Sequence, residues 1–280
     1  MSLARDAIEQ CAAVVRDRDR DRYIADLYVP EPARGHIFAL HAFNAEISRI
    51  REAVSEPGLG ELRLQWWREA LDGNTGGNPV ATALNATIAA FHLPIEAFHR
   101  LIEARTFDLY DSPIATLNSL EGYAGDTASA LFQLAAIVLA DGRDPGAADA
   151  SGHAGVAYAL AGILRALPRH AAAGKSFLPA DRVAAHGLAL ADYYAGRATA
   201  PLGSLLAELR QIARDHLAKA RSLIAGLDPA VAVAFLPIAL VEPHLDRMER
   251  QGYNPFRDSA ELAPWRRQWV LWRAVRRGVP

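Results

Sequence analysis

Residues 155–179, GVAYALAGILRALPRHAAAGKSFLP, decide the fold. From Gly155 to Leu167 the composition is dominated by Ala, Leu, Ile and Tyr, which suits a buried helix, and Gly174, Leu178 and Pro179 supply the stop and turn beyond it. Outward from this helix, apolar residues recur at spacings of three and four in most segments and strand-like alternation is scarce, which predicts an all-α chain. Breakers divide the helices: Pro30 and Pro32, Pro57-Gly58, the GNTGGNP loop at 73–79, Leu93-Pro94, DGRDPG at 141–146, Gly196, Gly226 to Pro229, and GYNPF at 252–256. None of these reads as an interdomain linker, so residues 1–280 are expected to form one domain of about ten helices. Pro237 and Pro243 lie inside a strongly apolar segment from Ala230 to Met248 and predict a kink or break there.

The same stretch resembles the second signature helix of the squalene/phytoene synthase family, whose pattern runs roughly G-x-A-x-Q-L-x-N-I-L-R-D-x-x-E-D-x-x-x-G-R-x-Y-L-P. Gly155, Ala157, Leu160, Ile163, Leu164, Arg165, Gly174, Leu178 and Pro179 match without gaps, with Lys175 and Phe177 as mild replacements. The family's acids fall on Ala166, Arg169 and His170, and its Gln and Asn on Ala159 and Gly162. Upstream, IFALHAFNAEISRIREAV from Ile37 to Val54 matches the first signature helix through Ala39, Leu40, Ala42 and Phe43, while the D-D-x-x-D acids become Ser48, Arg49 and Glu52. The resemblance extends through LRLQWWREAL at 62–71 and FDLYDSPIATLNSLEGY at 107–123, so it covers most of the chain. With HAFNAEIS and the acid-poor LRALPRHAAAGKSFLP, it is most similar to the family's mitochondrial complex I assembly factor branch.

The resemblance implies an isoprenoid synthase fold, with helices around a central cavity. Synthases of this family hold Mg²⁺ between two acidic helices, and the ions draw off the leaving diphosphate. Magnesium takes hard oxygen ligands, chiefly carboxylates and phosphate oxygens. A site offering Glu52 beside Arg49, Arg165 and Arg169 would repel divalent cations, although arginine can still grip an anion through its planar fork. No Mg²⁺ or other cofactor is therefore expected. The candidate cavity and anion-contacting residues are Ser48, Arg49, Glu52, Tyr123, Arg165, Arg169, His170 and Lys175, a basic mouth on an apolar cavity. For His170 a second reading, a polar helix terminus, stands beside this one.

The function implied is a non-catalytic protein assisting assembly of respiratory complex I. Two alternatives stay open: a prenyltransferase acting on isoprenoid diphosphates, and a carrier whose cavity holds a prenyl lipid or quinone.

Composition narrows the field further. With 280 residues, 51% of them hydrophobic, and a net charge of −2, disorder is excluded. Basic and acidic residues nearly balance and no aromatic-basic RNA module is present, so no nucleic-acid partner is expected. Cys11 is the only cysteine, which rules out an intrachain disulfide and fits a cytoplasmic protein. RDRDRDR at 16–22 reads as an exposed helix surface whose charges pair with one another. No long apolar run precedes it, so neither a signal nor an anchor is expected there.

Other chemistry-bearing residues read as structural. His36 and His41 lack ligand spacing, Ser129 and Ser151 lack a nucleophile elbow, and Glu242, His244 and Asp246 alternate between helix faces. Asp108 and Asp111 share a helical face and read as a polar contact. In PWRRQWVLWRAVRRGVP, Trp265, Trp269 and Trp272 share a face among five arginines. That pattern fits peripheral contact with the inner face of a membrane; packing of the tryptophans against the domain is the favoured reading.

Overall fold

The computed structural model describes residues 5–110, 112–278 and 280. The first half runs α1 (Arg5–Arg18), α2 (Arg20–Asp26), α3 (Glu31–Ser48), α4 (Pro57–Leu71), α5 (Pro79–Phe91), α6 (Ile95–Phe107), α7 (Leu117–Ala124) and α8 (Ala130–Leu139). The second runs α9 (Ala148–Arg165), α10 (Leu167–Ala172), α11 (Ala180–Ala185), α12 (Leu190–Tyr194) and α13 (Ala200–Ile224). It ends with α14 (Pro229–Ala232), α15 (Val241–Met248) and α16 (Pro264–Arg277). No strand occurs among the described residues, as the periodicity predicts. The helical segments outnumber the expected ten, because α10, α11, α12 and α14 are each six residues or shorter and carry no readable period.

Local chemistry sets the boundaries. Prolines open α3, α4, α5 and α13, where their missing N–H is not needed. Asn78 and Thr116 cap α5 and α7 by accepting from Ala81 N and Ser119 N. Asp19 does the same for Arg22 N and thereby separates α1 from α2. That cap divides RDRDRDR: Arg16, Asp17, Arg18 and Arg20 are exposed as expected, whereas Asp21 and Arg22 are buried, because α2 restarts the helix in a new phase and turns them into the protein.

The core helix is α9, which runs along α13 and also meets α8 and α15. Between α7 and α8 the helix makes a π-turn at Gly125–Ser129. Gly155 of α9 sits hard against it: a Cβ there would overlap the backbone N and Cα of Ser129. The predicted break in the apolar segment is present. Residues Val233–Leu240, containing Pro237, form a 3₁₀ run between α14 and α15, and the whole of Pro229–Met248 is long and apolar enough to cross a membrane yet mostly buried among the other helices. A second small apolar cluster, including Leu236, Leu240, Leu262, Leu271 and Ala274, seats α16 on that segment.

Candidate functional site

The C-terminal halves of α3 and α9 face one another across a cavity of about 540 Å³. Helical phase dictates which residues reach it. Tyr158, Ala159, Gly162 and Ile163 of α9 and Ala166 just beyond its end form one arc, and on α3 and the 3₁₀ turn that follows, Asn44, Ala45, Ser48, Arg49 and Glu52 form the other. All eight positions where the resemblance puts acids or amides, Ser48, Arg49, Glu52, Ala159, Gly162, Ala166, Arg169 and His170, line this one cavity. Tyr123 and Lys175 line it too.

Arg165 does not. It lies roughly a quarter turn from the centre of the α9 arc, by the 100° step of the helix, and points away. Its Nη1 meets Asp21 at 2.9 Å and its Nη2 meets Glu261 at 2.7 Å. The expectation that Arg165 contacts an anion in the cavity is therefore corrected: it ties α9 to α2 and to the approach to α16.

At the mouth, one carboxylate holds two guanidiniums. Glu52 accepts from Arg49 Nε at 3.1 Å and pairs with Arg169 Nη1 at 2.9 Å, so an ion pair now bridges the segment after α3 to α10. His170 rests on Phe177, with ring centroids 4.7 Å apart. Burial first, and the cations of Arg169 and Lys175 second, hold its imidazole down at about 4. It is neutral at pH 7 and adds nothing to a basic mouth.

Deeper in, Arg105 of α6 donates to Tyr123 Oη at 2.6 Å and to Asp108 Oδ2 at 3.1 Å, while the Tyr123 hydroxyl donates to Asp108 Oδ1 at 2.8 Å. Burial raises the Tyr123 hydroxyl above its ordinary range and keeps it a donor. Lys175 Nζ donates to the Asp108 carbonyl. Asp108 thus makes the polar contact expected of it; Asp111, its supposed partner, lies outside the described residues. Arg22 is paired with Asp19 at 2.8 Å and lies over the Tyr158 ring at 4.6 Å.

The wall is cationic overall. Arg18, Arg22, Arg49, Arg51, Arg105, Arg169 and Lys175 stand against Asp19, Glu52 and Asp108. The buried Nε atoms of Arg51 and Arg105 have no hydrogen-bond partner. Ala45, Ala128, Ala159, Gly162, Ala166 and Ala173 leave room between the charges, so the cationic groups stand in a smooth lining of small residues that is more apolar than polar. Arg22 and Arg105 escape sequence reading, the first because its charge run imitates a surface. For Arg105 the available signal is Asp108 three residues on.

The remaining candidates are structural. His36 bonds Thr87 Oγ1 at 2.9 Å and His41 bonds Asp26 at 2.7 Å. Glu242 and Asp246 share Arg214 while buried His244 faces the opposite way, to the Ala260 carbonyl. Ser129 donates to the Gly152 carbonyl and Ser151 to Gln133. Burial pushes the Cys11 thiol up to about 12. Among the described residues no three His, Cys, Asp or Glu side chains converge as a metal site.

Comparison with known proteins sets this geometry in context. A sequence model described as Squalene/phytoene synthase matches residues 15–273. The chain is 29% identical over 255 residues to the Homo sapiens protein named NADH dehydrogenase (ubiquinone) complex I, assembly factor 6, covering 90% of this chain and 76% of that one. It is 28% identical over 266 residues to the phytoene synthase of Thermus thermophilus, covering 92% and 89%. Among solved structures, a squalene synthase from Alicyclobacillus acidocaldarius superposes with a TM-score of 0.77 at 26% identity, covering 90% of this chain and 96% of that one.

Proposed function

The chain belongs to the squalene/phytoene synthase family and has its isoprenoid synthase fold, and from that premise we propose that it is a non-catalytic member assisting assembly of respiratory complex I. The observation that carries this reading is Glu52, bound between Arg49 and Arg169 where the synthases' two acidic helices would face each other. Ionising a prenyl diphosphate in such a site requires divalent cations between carboxylates. Two guanidiniums already neutralise Glu52, the one carboxylate at the positions of the synthases' acidic motifs, and Ala166 and the neutral His170 offer nothing in exchange. The likeness to the assembly factor proteins supplies the positive half of the reading, and complex I or its assembly intermediates are the partner it implies. The work would then be done on the cytoplasmic side of the membrane that holds complex I.

The test is a deletion strain, with complex I followed by NADH-dependent quinone reduction in membranes and by native gels. We expect loss of the assembled complex and its restoration by the wild-type gene; normal complex I in the deletion strain overturns the assembly role. Purified protein incubated with farnesyl or geranylgeranyl diphosphate and Mg²⁺ is expected to give no coupled product, and robust turnover would overturn the non-catalytic half.

A second reading is favoured by one specific observation: the cavity is open, and cations outnumber carboxylates in its wall by seven to three. Such a space fits a prenyl lipid or quinone whose polar head meets the arginines. Native mass spectrometry of the purified protein would reveal a co-purified prenyl compound.

A further inference from the structure

We propose that the solvent face of α16, together with the adjoining face of α2, is a docking surface for anionic phospholipid. Expected packing of the tryptophans against the domain fails: Trp265, Trp269 and Trp272 are 69%, 52% and 42% exposed. The side of α16 that meets the domain is made instead by Arg267, Leu271 and Ala274. By the 100° helical step the three tryptophans fall within about 60° of one another, nearly opposite that inner side. Their stripe borders a shallow apolar groove completed by Ile24 of α2 and by Leu27 and Tyr28 in the turn that follows it, so the patch reaches beyond α16. Trp269 and Trp272 stack on each other with centroids 5.0 Å apart.

Charge identifies the occupant. No Asp or Glu occurs in α16, and Arg267, its only arginine turned inward, is spent on Asp21 and Glu261. Arg266, Arg273 and Arg277 flank the tryptophan stripe on the side away from the groove, and Arg276 lies over Trp272 at 5.2 Å. None of these four is in an ion pair among the described residues. This sets them apart from arginines such as Arg165 and Arg214, each of which holds two or more carboxylates.

Indole rings favour the headgroup layer, where an apolar body and a polar N–H are both satisfied, and unpaired guanidiniums favour phosphate. The helix is about 21 Å long and lies along the domain surface, so the stripe can meet a plane along its whole length. An interfacial helix binds in this way, apolar face in and cations to the headgroups. The surface involves no cavity residue, so it stands or falls independently of the complex I reading.

The full chain should be tested by co-sedimentation with vesicles of phosphatidylglycerol and phosphatidylcholine, and with phosphatidylcholine alone. We expect binding to the anionic vesicles that weakens with salt, with a blue-shifted tryptophan emission quenched by brominated lipid. The variant W265S/W269S/W272S should bind at least about tenfold more weakly with an unchanged thermal melt, since these side chains are exposed. R266Q/R273Q/R277Q should lose about tenfold or more and most of the salt dependence. Absence of binding to anionic vesicles overturns the proposal, as does binding unaffected by both variants. A dimer in sedimentation velocity that the tryptophan variant dissociates would also overturn it and assign the face to a second copy of the chain.

Discussion

Glu52, caught between Arg49 at 3.1 Å and Arg169 at 2.9 Å, is the smallest unit on which the chemistry of the cavity turns. Because all three side chains are substantially exposed, the pairs contribute little stability, and Glu52→Gln should cost less than about 1 kcal/mol by urea denaturation. The same substitution frees two guanidiniums, so pyrophosphate should bind more tightly to the variant in calorimetry with EDTA present; unchanged affinity would mean that the mouth does not meet anions. His170 makes a pH prediction. Its folded value of about 4 lies below the ordinary 6.5, so in that interval the unfolded chain binds a proton that the folded chain refuses. Its contribution is therefore full above pH 6.5 and lost as pH falls towards 4. His170→Gln should flatten the fall of stability across that window in denaturation curves; an identical slope would assign the acid sensitivity elsewhere. Most of these positions were legible from the sequence because an ungapped register carries Ser48, Arg49, Glu52, Arg169 and His170 into one cavity. Arg165 was misread for the converse reason: a match to a pattern does not say which side of the helix a residue occupies.

Between elements, a buried charge cluster joins α2, α9 and α16. Asp21 accepts from Arg165 Nη1 at 2.9 Å and forms ion pairs with Arg267 Nε at 2.6 Å and with His244 Nε2 at 3.4 Å. Burial alone would raise its carboxyl, but the His244 ring and the two guanidiniums outweigh that and hold it well below the usual carboxylate range. Asp21→Asn would leave the buried Arg267 with only the half-exposed Glu261 as a carboxylate partner, and should cost about 3–5 kcal/mol in denaturant unfolding. A cost below 1 kcal/mol would show that α16 is seated by Leu271 and Ala274 alone. A different contact fixes α9 against the π-turn: Gly155→Ala forces a methyl into the Ser129 backbone and should lower stability by about 1–3 kcal/mol in the same measurement. Neither partnership was visible from local sequence. An alternating Arg-Asp run looks the same whether its second half is solvated or buried, and only the Asp19 cap decides.

At the scale of the molecule, a ligand that fills the cavity should stabilise the fold without metal. At a hundredfold excess over its Kd, a farnesyl diphosphate analogue would add about 2.7 kcal/mol, read as a rise in Tm that EDTA leaves unchanged. A rise that appears only with Mg²⁺ would restore the metal-dependent reading. The long helices and their proline stops were legible because periodicity and breakers agree over many residues. The cavity's charged wall was legible only in part: Arg22, Arg105 and Tyr123 reach it from three separate helices, and of these Tyr123 alone was expected there. One of those approaches depends on the π-turn at Gly125–Ser129, which adds to the chain between α7 and α8 more residues than an α-helical turn would use. It works as a phase shifter: α8 sends Leu131, Leu134 and Ala135 into the core while α7 keeps Tyr123 on the cavity. Deleting one residue of this turn could leave a continuous α-helix of good hydrogen bonding, yet α7 would rotate by about 100° against α8 and carry the Tyr123 hydroxyl away from Arg105 and Asp108. An insertion the fold has absorbed is therefore what aims that hydroxyl.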